Sequence, residues 1–229
     1  MFTSKKDTSH LCKSMIGMQD ENRTIAKVDY SVTLGYMKPV EYLSKIEPIV
    51  IALFDALIHA ERRAQGEHNI LAPMLEYHKY QLVSLSQTNE YDNASIIYSD
   101  KKVADAREAL FLIHTASEAA ASAVLQIAKQ CVSMAWPIGE HKFNKGRLVG
   151  SQPLSSVIWH ARNQALHFED GKSYPATKKC LNLLQSELGL DISNLKSKPR
   201  SLAKDIFKLL EWHSYVNFAD DMKALLDNE

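Results

Sequence analysis

The sequence predicts an all-α protein, a helical bundle led by a short N-terminal strand or extended arm. Three observations carry that reading. Long segments place apolar residues at i, i+3, i+4 and i+7, the spacing of one helix face. Proline and glycine fall between such segments rather than at the regular short intervals of a sheet protein. Only one stretch alternates with a period of two: Val28, Tyr30, Val32, Leu34 and Tyr36 against Asp29, Ser31, Thr33 and Gly35. A single strand cannot satisfy its own backbone, so this stretch reads as an arm or as a strand added to a partner, and residues 1–37 are set apart from 38–229.

From Pro39 the pattern turns helical. Pro39 suits a first helical position and Pro48 a kink or restart, after which Ile51, Leu53, Phe54, Leu57 and Ile58 form a stripe ending near Gly66. A second helix is expected from Ile70 to about Ser86. After the polar turn QTNEYDN, a third begins with Asp100 as cap and runs until Pro137 and Gly139. Its middle, TASEAAASA, is rich in small residues that let a neighbouring helix approach closely, which places it at the bundle centre. The loop HKFNKGRLVG leads to a helix within residues 151–169, another over Tyr174–Leu188, and a last amphipathic region over Ser201–Leu226.

With 229 residues, 45% hydrophobic, the chain is long enough for one sizeable core. Lys plus Arg and Asp plus Glu are both 27, so net charge does not mark a polyanionic partner. Yet between His141 and Lys208 there are 12 Lys or Arg against 5 Asp or Glu, and this basic stretch contains the most distinctive motif. Three scattered cysteines, Cys12, Cys131 and Cys180, speak against a disulfide framework and a zinc knuckle and fit a reducing cytoplasm. No stretch approaches 18 uninterrupted apolar residues, so no membrane partner is expected.

The distinctive motif lies in SQPLSSVIWHARNQALHFEDG. Leu154, Val157, Ile158, Ala161, Ala165 and Phe168 fall on one apolar stripe, which accounts for the helix. The opposite arc carries Arg162, Asn163 and His167 beside Trp159 and Leu166. A plainly solvated face would rarely carry Trp and Leu, so this arc is expected to be buried or to face a partner, with Trp159 and Leu166 at a dimer interface. The preceding Lys142, Lys145 and Arg147, with Phe143 among them, have the cation and aromatic composition that suits single-stranded RNA. No His-Glu-x-x-His, cysteine-pair or glycine-rich phosphate signature appears, so neither a metal nor a cofactor is expected.

Arg162-Asn163-Gln164-Ala165-Leu166-His167 resembles the Arg-x4-6-His motif of the HEPN superfamily, whose first variable position is often polar. Arg63 with His68, Arg62 with His68 and Arg107 with His114 also fit the spacing. Gly66 interrupts the Arg63 copy, and Glu108 follows Arg107 near the start of a long helix; neither offers an Arg-Asn pair on a helix with a free second face. The resemblance implies a helical domain over residues 38–229 and metal-independent RNA cleavage at a composite site in a homodimer. It assigns Arg162 to the phosphate charge, Asn163 to orientation and His167 to proton transfer. It also implies a toxin-antitoxin or antiviral defence role, with a regulatory partner protein. One subgroup carries Tyr two places after the motif His; Glu169 stands there in this chain, a departure that speaks against nucleotide modification at that position. The residues themselves suit the chemistry: histidine titrates near neutrality, and arginine offers a planar fork of donors. The competing reading is a non-catalytic helical module that binds RNA or protein through the same surface, with Arg162 and Asn163 bridging helices and His167 capping one.

Overall fold

A computed structural model describes residues 38–87, 93–135, 145–170, 174–195 and 197–226. The expected N-terminal arm, Lys142 and the Pro137–Gly139 stop lie outside the described residues. Residues 38–229 form one compact unit, whose described residues are all-α apart from one tiny hairpin. Two long antiparallel helices, α1 (Pro39–Gln87) and α2 (Asn93–Ala135), are followed by strands β1 (Leu148–Val149) and β2 (Gln152–Pro153). Then come α3 (Leu154–His167), a 3-10 turn (Phe168–Asp170), α4 (Pro175–Leu188), α5 (Ala203–Leu209) and α6 (Tyr215–Leu226).

The first departure from the sequence reading is α1. A restart was expected at Pro48 and a break at Gly66, yet one helix runs through Pro48, Gly66 and Pro73 for 49 residues, about 74 Å at roughly 1.5 Å per residue. All three residues are exposed, as are Ser44 and Asn69, whose carbonyls the prolines leave without a helical donor. At such exposed positions solvent can reach the freed carbonyls, so the prolines cost less than in a buried helix. Meanwhile the buried face, Leu43, Val50, Phe54, Leu57, Ala64 and Leu71, packs without interruption. The second departure is α2, which begins at Asn93 rather than after Asp100.

The hairpin carries two cores. In its far half, Ala64 and Leu71 of α1 pack on Val103, Ala106, Leu110 and Ile113 of α2. There His78 ties the helices together, Nδ1 at 3.0 Å from the Ser99 hydroxyl and Nε2 at 3.1 Å from the Asp100 carboxylate. The near half joins the main core, where α2 packs against α3, α5 and α6. Residues 99–135 of α2 are long and apolar enough, by length and composition, to cross a membrane. In this fold Ala121, Val124, Leu125, Ala128 and Cys131 on one face of that stretch are fully buried. The small-residue segment is thus only partly central: Ser117, Ala120 and Ala121 are buried, while Thr115, Ala116 and Ala119 are exposed.

The third departure is the C-terminal region, expected as one amphipathic stretch. It folds as α5 and α6 around a turn in which Glu211 takes φ +56°. Trp212 sits in an aromatic cluster, its ring centroid 5.3 Å from Phe207 and 5.0 Å from Phe218, and its indole N–H donates to Asp221 at 2.8 Å. That burial requires the chain to turn. The α4 helix, by contrast, starts and stops where read: Pro175 at its first turn, and Gly189 at φ +73° closing the end with N–H bonds to Gln185 and Leu184 carbonyls.

Candidate functional site

Helix α3 is launched by the small hairpin. Val149 pairs with Gln152, Gly150 turns the chain at φ +59°, and Ser151 donates both its N–H and its hydroxyl to Glu187, each at 2.6 Å. These bonds hold the Glu187 carboxyl below its usual range. The helix therefore begins at Leu154, three residues later than position 151. Its core stripe is buried as expected at Leu154, Val157, Ile158, Ala161 and Ala165, with Phe168 half-buried. Ser155 and Gln164 are buried too. Gln164 grips the segment after α4: its Nε2 donates to the Arg200 carbonyl at 2.8 Å and its Oε1 accepts from the Leu202 N–H at 2.8 Å.

The polar arc lies on the other side, with Trp159 43% and Leu166 47% exposed and Arg162, Asn163 and His167 half-buried. Arg162 Nε donates to Gln126 Oε1 of α2 at 2.6 Å, and Nη1 donates to Asn163 Oδ1 at 3.1 Å. Lys129, one turn along α2 from Gln126, places its Nζ 4.7 Å from the centroid of the Trp159 ring. His167 turns elsewhere. Its Nδ1 lies 3.2 Å from Asp170 Oδ2, and its ring meets Tyr174 edge-on at 6.4 Å. Within one chain, then, Arg162 and Asn163 are brought together, while His167 belongs to a separate set. With Nδ1 held by Asp170, Nε2 is the nitrogen left for proton exchange.

His160 is packed rather than displayed: Nδ1 lies 3.1 Å from the Thr177 hydroxyl, and burial lowers its pKa. Glu118, a sequence-level candidate to pair with Arg162, instead accepts from the Lys204 N–H at 3.4 Å and bonds the Ser201 side chain, and burial raises its pKa. Of the basic residues before α3, Lys145 is exposed. Arg147 is a pillar of the fold: Nε and Nη2 reach the two Asp221 oxygens at 2.8 and 2.9 Å, and Nη2 also donates to the Leu210 carbonyl at 2.6 Å. Sequence reasoning missed Gln126, Lys129 and the exposed Lys178–Lys179 pair of α4. The first two lie 30 or more positions from the residues they touch, and nothing local marks them. Asp170, three residues after His167, was legible as an i, i+3 partner.

Neither cysteine among the described residues is a ready nucleophile. Burial pushes the Cys131 thiol up to about 12 and that of Cys180 to about 11. Among the described residues no group of three or more His, Cys, Asp or Glu side chains converges as a metal site would. The chain matches no family model, no curated protein and no solved structure. None of these comparisons identifies a family.

Proposed function

We propose that the chain is a metal-independent endoribonuclease of HEPN type, working as a cytoplasmic homodimer in toxin-antitoxin or antiviral defence. The observation that carries this reading is the two-faced character of α3. One face is fully buried, so the residues of the other, Arg162, Asn163 and His167 between the exposed Trp159 and Leu166, are not needed to build the core. Arg162 and His167 lie about 140° apart around the helix, at roughly 100° per residue, so one copy cannot grip one phosphate with both. Two antiparallel copies packed through Trp159 and Leu166 bring both motifs to one axis. One His167 then takes the proton of the RNA 2′-hydroxyl as its oxygen attacks phosphorus. The second His167 protonates the departing 5′-oxygen, leaving a 2′,3′-cyclic phosphate and a 5′-hydroxyl. Arg162 carries the phosphorane charge.

A second reading is favoured by the Arg162–Gln126 and His167–Asp170 bonds, which give each motif residue a role within one chain. Under it the arc binds RNA or protein without chemistry. The experiment that separates them is incubation of purified protein with structured and unstructured RNAs in EDTA, beside Arg162→Ala and His167→Ala. Cyclic-phosphate ends that vanish in both variants, with melting and dimer mass unchanged, support the nuclease. Chelator-sensitive cutting, 5′-phosphate ends, or full activity in both variants overturns it.

A further inference from the structure

Helix α1 carries two seams. The buried one, Leu43, Val50, Leu57, Ala64 and Leu71, recurs every seven residues. A second runs beside it: positions 49, 52, 56, 59, 63, 66, 70, 73, 77 and 80 follow one another at alternating steps of three and four, the spacing of a coiled-coil stripe, and every one is exposed. This line includes Ile49, Ala52, Ala56, Gly66, Ile70 and Tyr77, carries no acid, and holds one arginine, Arg63. Ile49 is 58%, Ile70 56% and Tyr77 60% exposed. From Ile49 to Tyr77 the line covers about 42 Å at roughly 1.5 Å per residue, the length of a stable coiled-coil contact.

The C-terminal helices cover the other flank of the hairpin. Phe54 and His68, each four places after a buried position, meet Phe207 and Phe218 and, across the hairpin, His114. His114 likewise stands four places after buried Leu110. The opposite flank therefore holds the residues one place before each buried position, Ile49, Ala56 and Ile70 on α1 and Ala109 and Ala116 on α2. Exposed Leu112 and Ala119 widen it on α2. One side of the hairpin is thus a continuous face of apolar and small residues rather than a set of scattered ones.

We infer that this face docks a second copy of the chain, the two α1 seams packing antiparallel about a two-fold axis near His59. A closed two-fold contact needs a surface that complements itself when reversed end for end. Reversal about His59 sets Ile49 against Ile70 and Ala52 against Gly66, with the small residues nearer the axis, where they let the helices approach closely. It also sets Asp55 of each copy beside Arg62 of the other and brings Lys45, which bonds Glu41 at 2.8 Å, toward Glu76. Asp55, Arg62 and Glu76 form no ion pair among the described residues. A parallel arrangement would stack Arg62 on Arg62 and Asp55 on Asp55. This reversed charge pattern selects a second copy over an unrelated helix. Because α3 packs on α2, the contact is separate from one through Trp159 and Leu166 and does not depend on the nuclease reading.

Sedimentation velocity of the full chain carrying Trp159→Ala and Leu166→Ala, which remove the α3 contact, tests the inference. That protein is expected to remain a dimer at micromolar concentration. Adding Ile70→Lys, or Asp55→Arg to face Arg62, should each raise its dissociation constant at least about tenfold. Arg62→Asp added to Asp55→Arg should restore the dimer, and Phe111→Lys, one place after buried Leu110 and so on the other flank, should leave it intact. All these positions are exposed, so melting should stay near that of the parent, and Ala52→Arg replaces Ile70→Lys if that variant melts early. A monomer in the Trp159→Ala, Leu166→Ala background overturns the proposal. So does a dimer indifferent to Ile70→Lys and Asp55→Arg, an equal loss in Phe111→Lys, or no recovery on charge exchange. Wild type with the same mass as that background would remove the α3 contact alone, so the two interfaces fail separately.

Discussion

Gln126 of α2 accepts a 2.6 Å hydrogen bond from Arg162 Nε of α3, so the guanidinium of the motif is aimed by a helix that the motif itself does not contain. The bond is charge-assisted and partly shielded, which puts it among the stronger hydrogen bonds of a protein. Arg162 Nη1 meanwhile donates to Asn163 Oδ1 at 3.1 Å.

Replacing Gln126 by Ala should therefore cost about 1–2 kcal/mol of stability. On the proposed nuclease reading it should also lower RNA cutting more than Lys129→Ala does, because Gln126 bonds the guanidinium and Lys129 lies over Trp159 instead. Denaturant melts and single-turnover cleavage of one RNA by both variants check this. Equal activity in the two would show that Arg162 is positioned by something other than Gln126.

Gln164 should matter more to stability than any residue of the polar arc. Gln164→Leu keeps the volume and strands the Leu202 N–H and the Arg200 carbonyl, of which the first is buried. A loss of about 2–3 kcal/mol is expected. Urea unfolding measures it, and a loss no larger than that of an exposed-site control would show that water replaces the amide.

Arg147 is expected to act through the fold. The Asp221 carboxylate raises its pKa, so it stays charged at any working pH. Arg147→Lys loses the fork that joins Asp221 to the Leu210 carbonyl. With the side chain 40% exposed, about 1 kcal/mol is the expected cost. RNA affinity should move less than in Lys145→Ala, whose side chain lies at an exposed position. Filter binding of a labelled RNA to the two variants compares them, and the reverse order would return Arg147 to the RNA surface.

Glu118 predicts a pH dependence. Burial raises its folded-state pKa above the ordinary 4.5, outweighing the Ser201 and Lys204 bonds that lower it. The native state thus binds more protons than the unfolded state between 4.5 and the higher folded value, and this group's contribution to stability falls as pH rises through that window. Glu118→Gln should melt higher than wild type at neutral pH, with the gain shrinking below the window. Melting curves at several pH values check it; a variant that is less stable at neutral pH would mean that the carboxylate's hydrogen bonds outweigh its burial.

Local repetition is what the residues announce before the chain folds. The stripe Leu154, Val157, Ile158, Ala161, Ala165 is buried as its spacing requires, and α4 begins and ends at its own proline and glycine. The all-α class follows from the same periodicity, because burying one face of a helix needs no information from elsewhere in the chain. Tertiary structure decided the rest. Pro48 reads as a kink or restart and Gly66 as a break, yet α1 continues because its apolar face stays packed while both of these positions are exposed. The Ser201–Leu226 stretch reads as continuous, yet it turns at Glu211 because Trp212, Asp221 and Arg147 meet there from three parts of the chain. The candidate site divides in the same way. Arg162, Asn163 and His167 are legible because they share a helix and a spacing, and Asp170 follows within one turn. Gln126 and Lys129 are not, since each depends on which helices pack together, and side chains tens of residues apart leave no periodic trace of that.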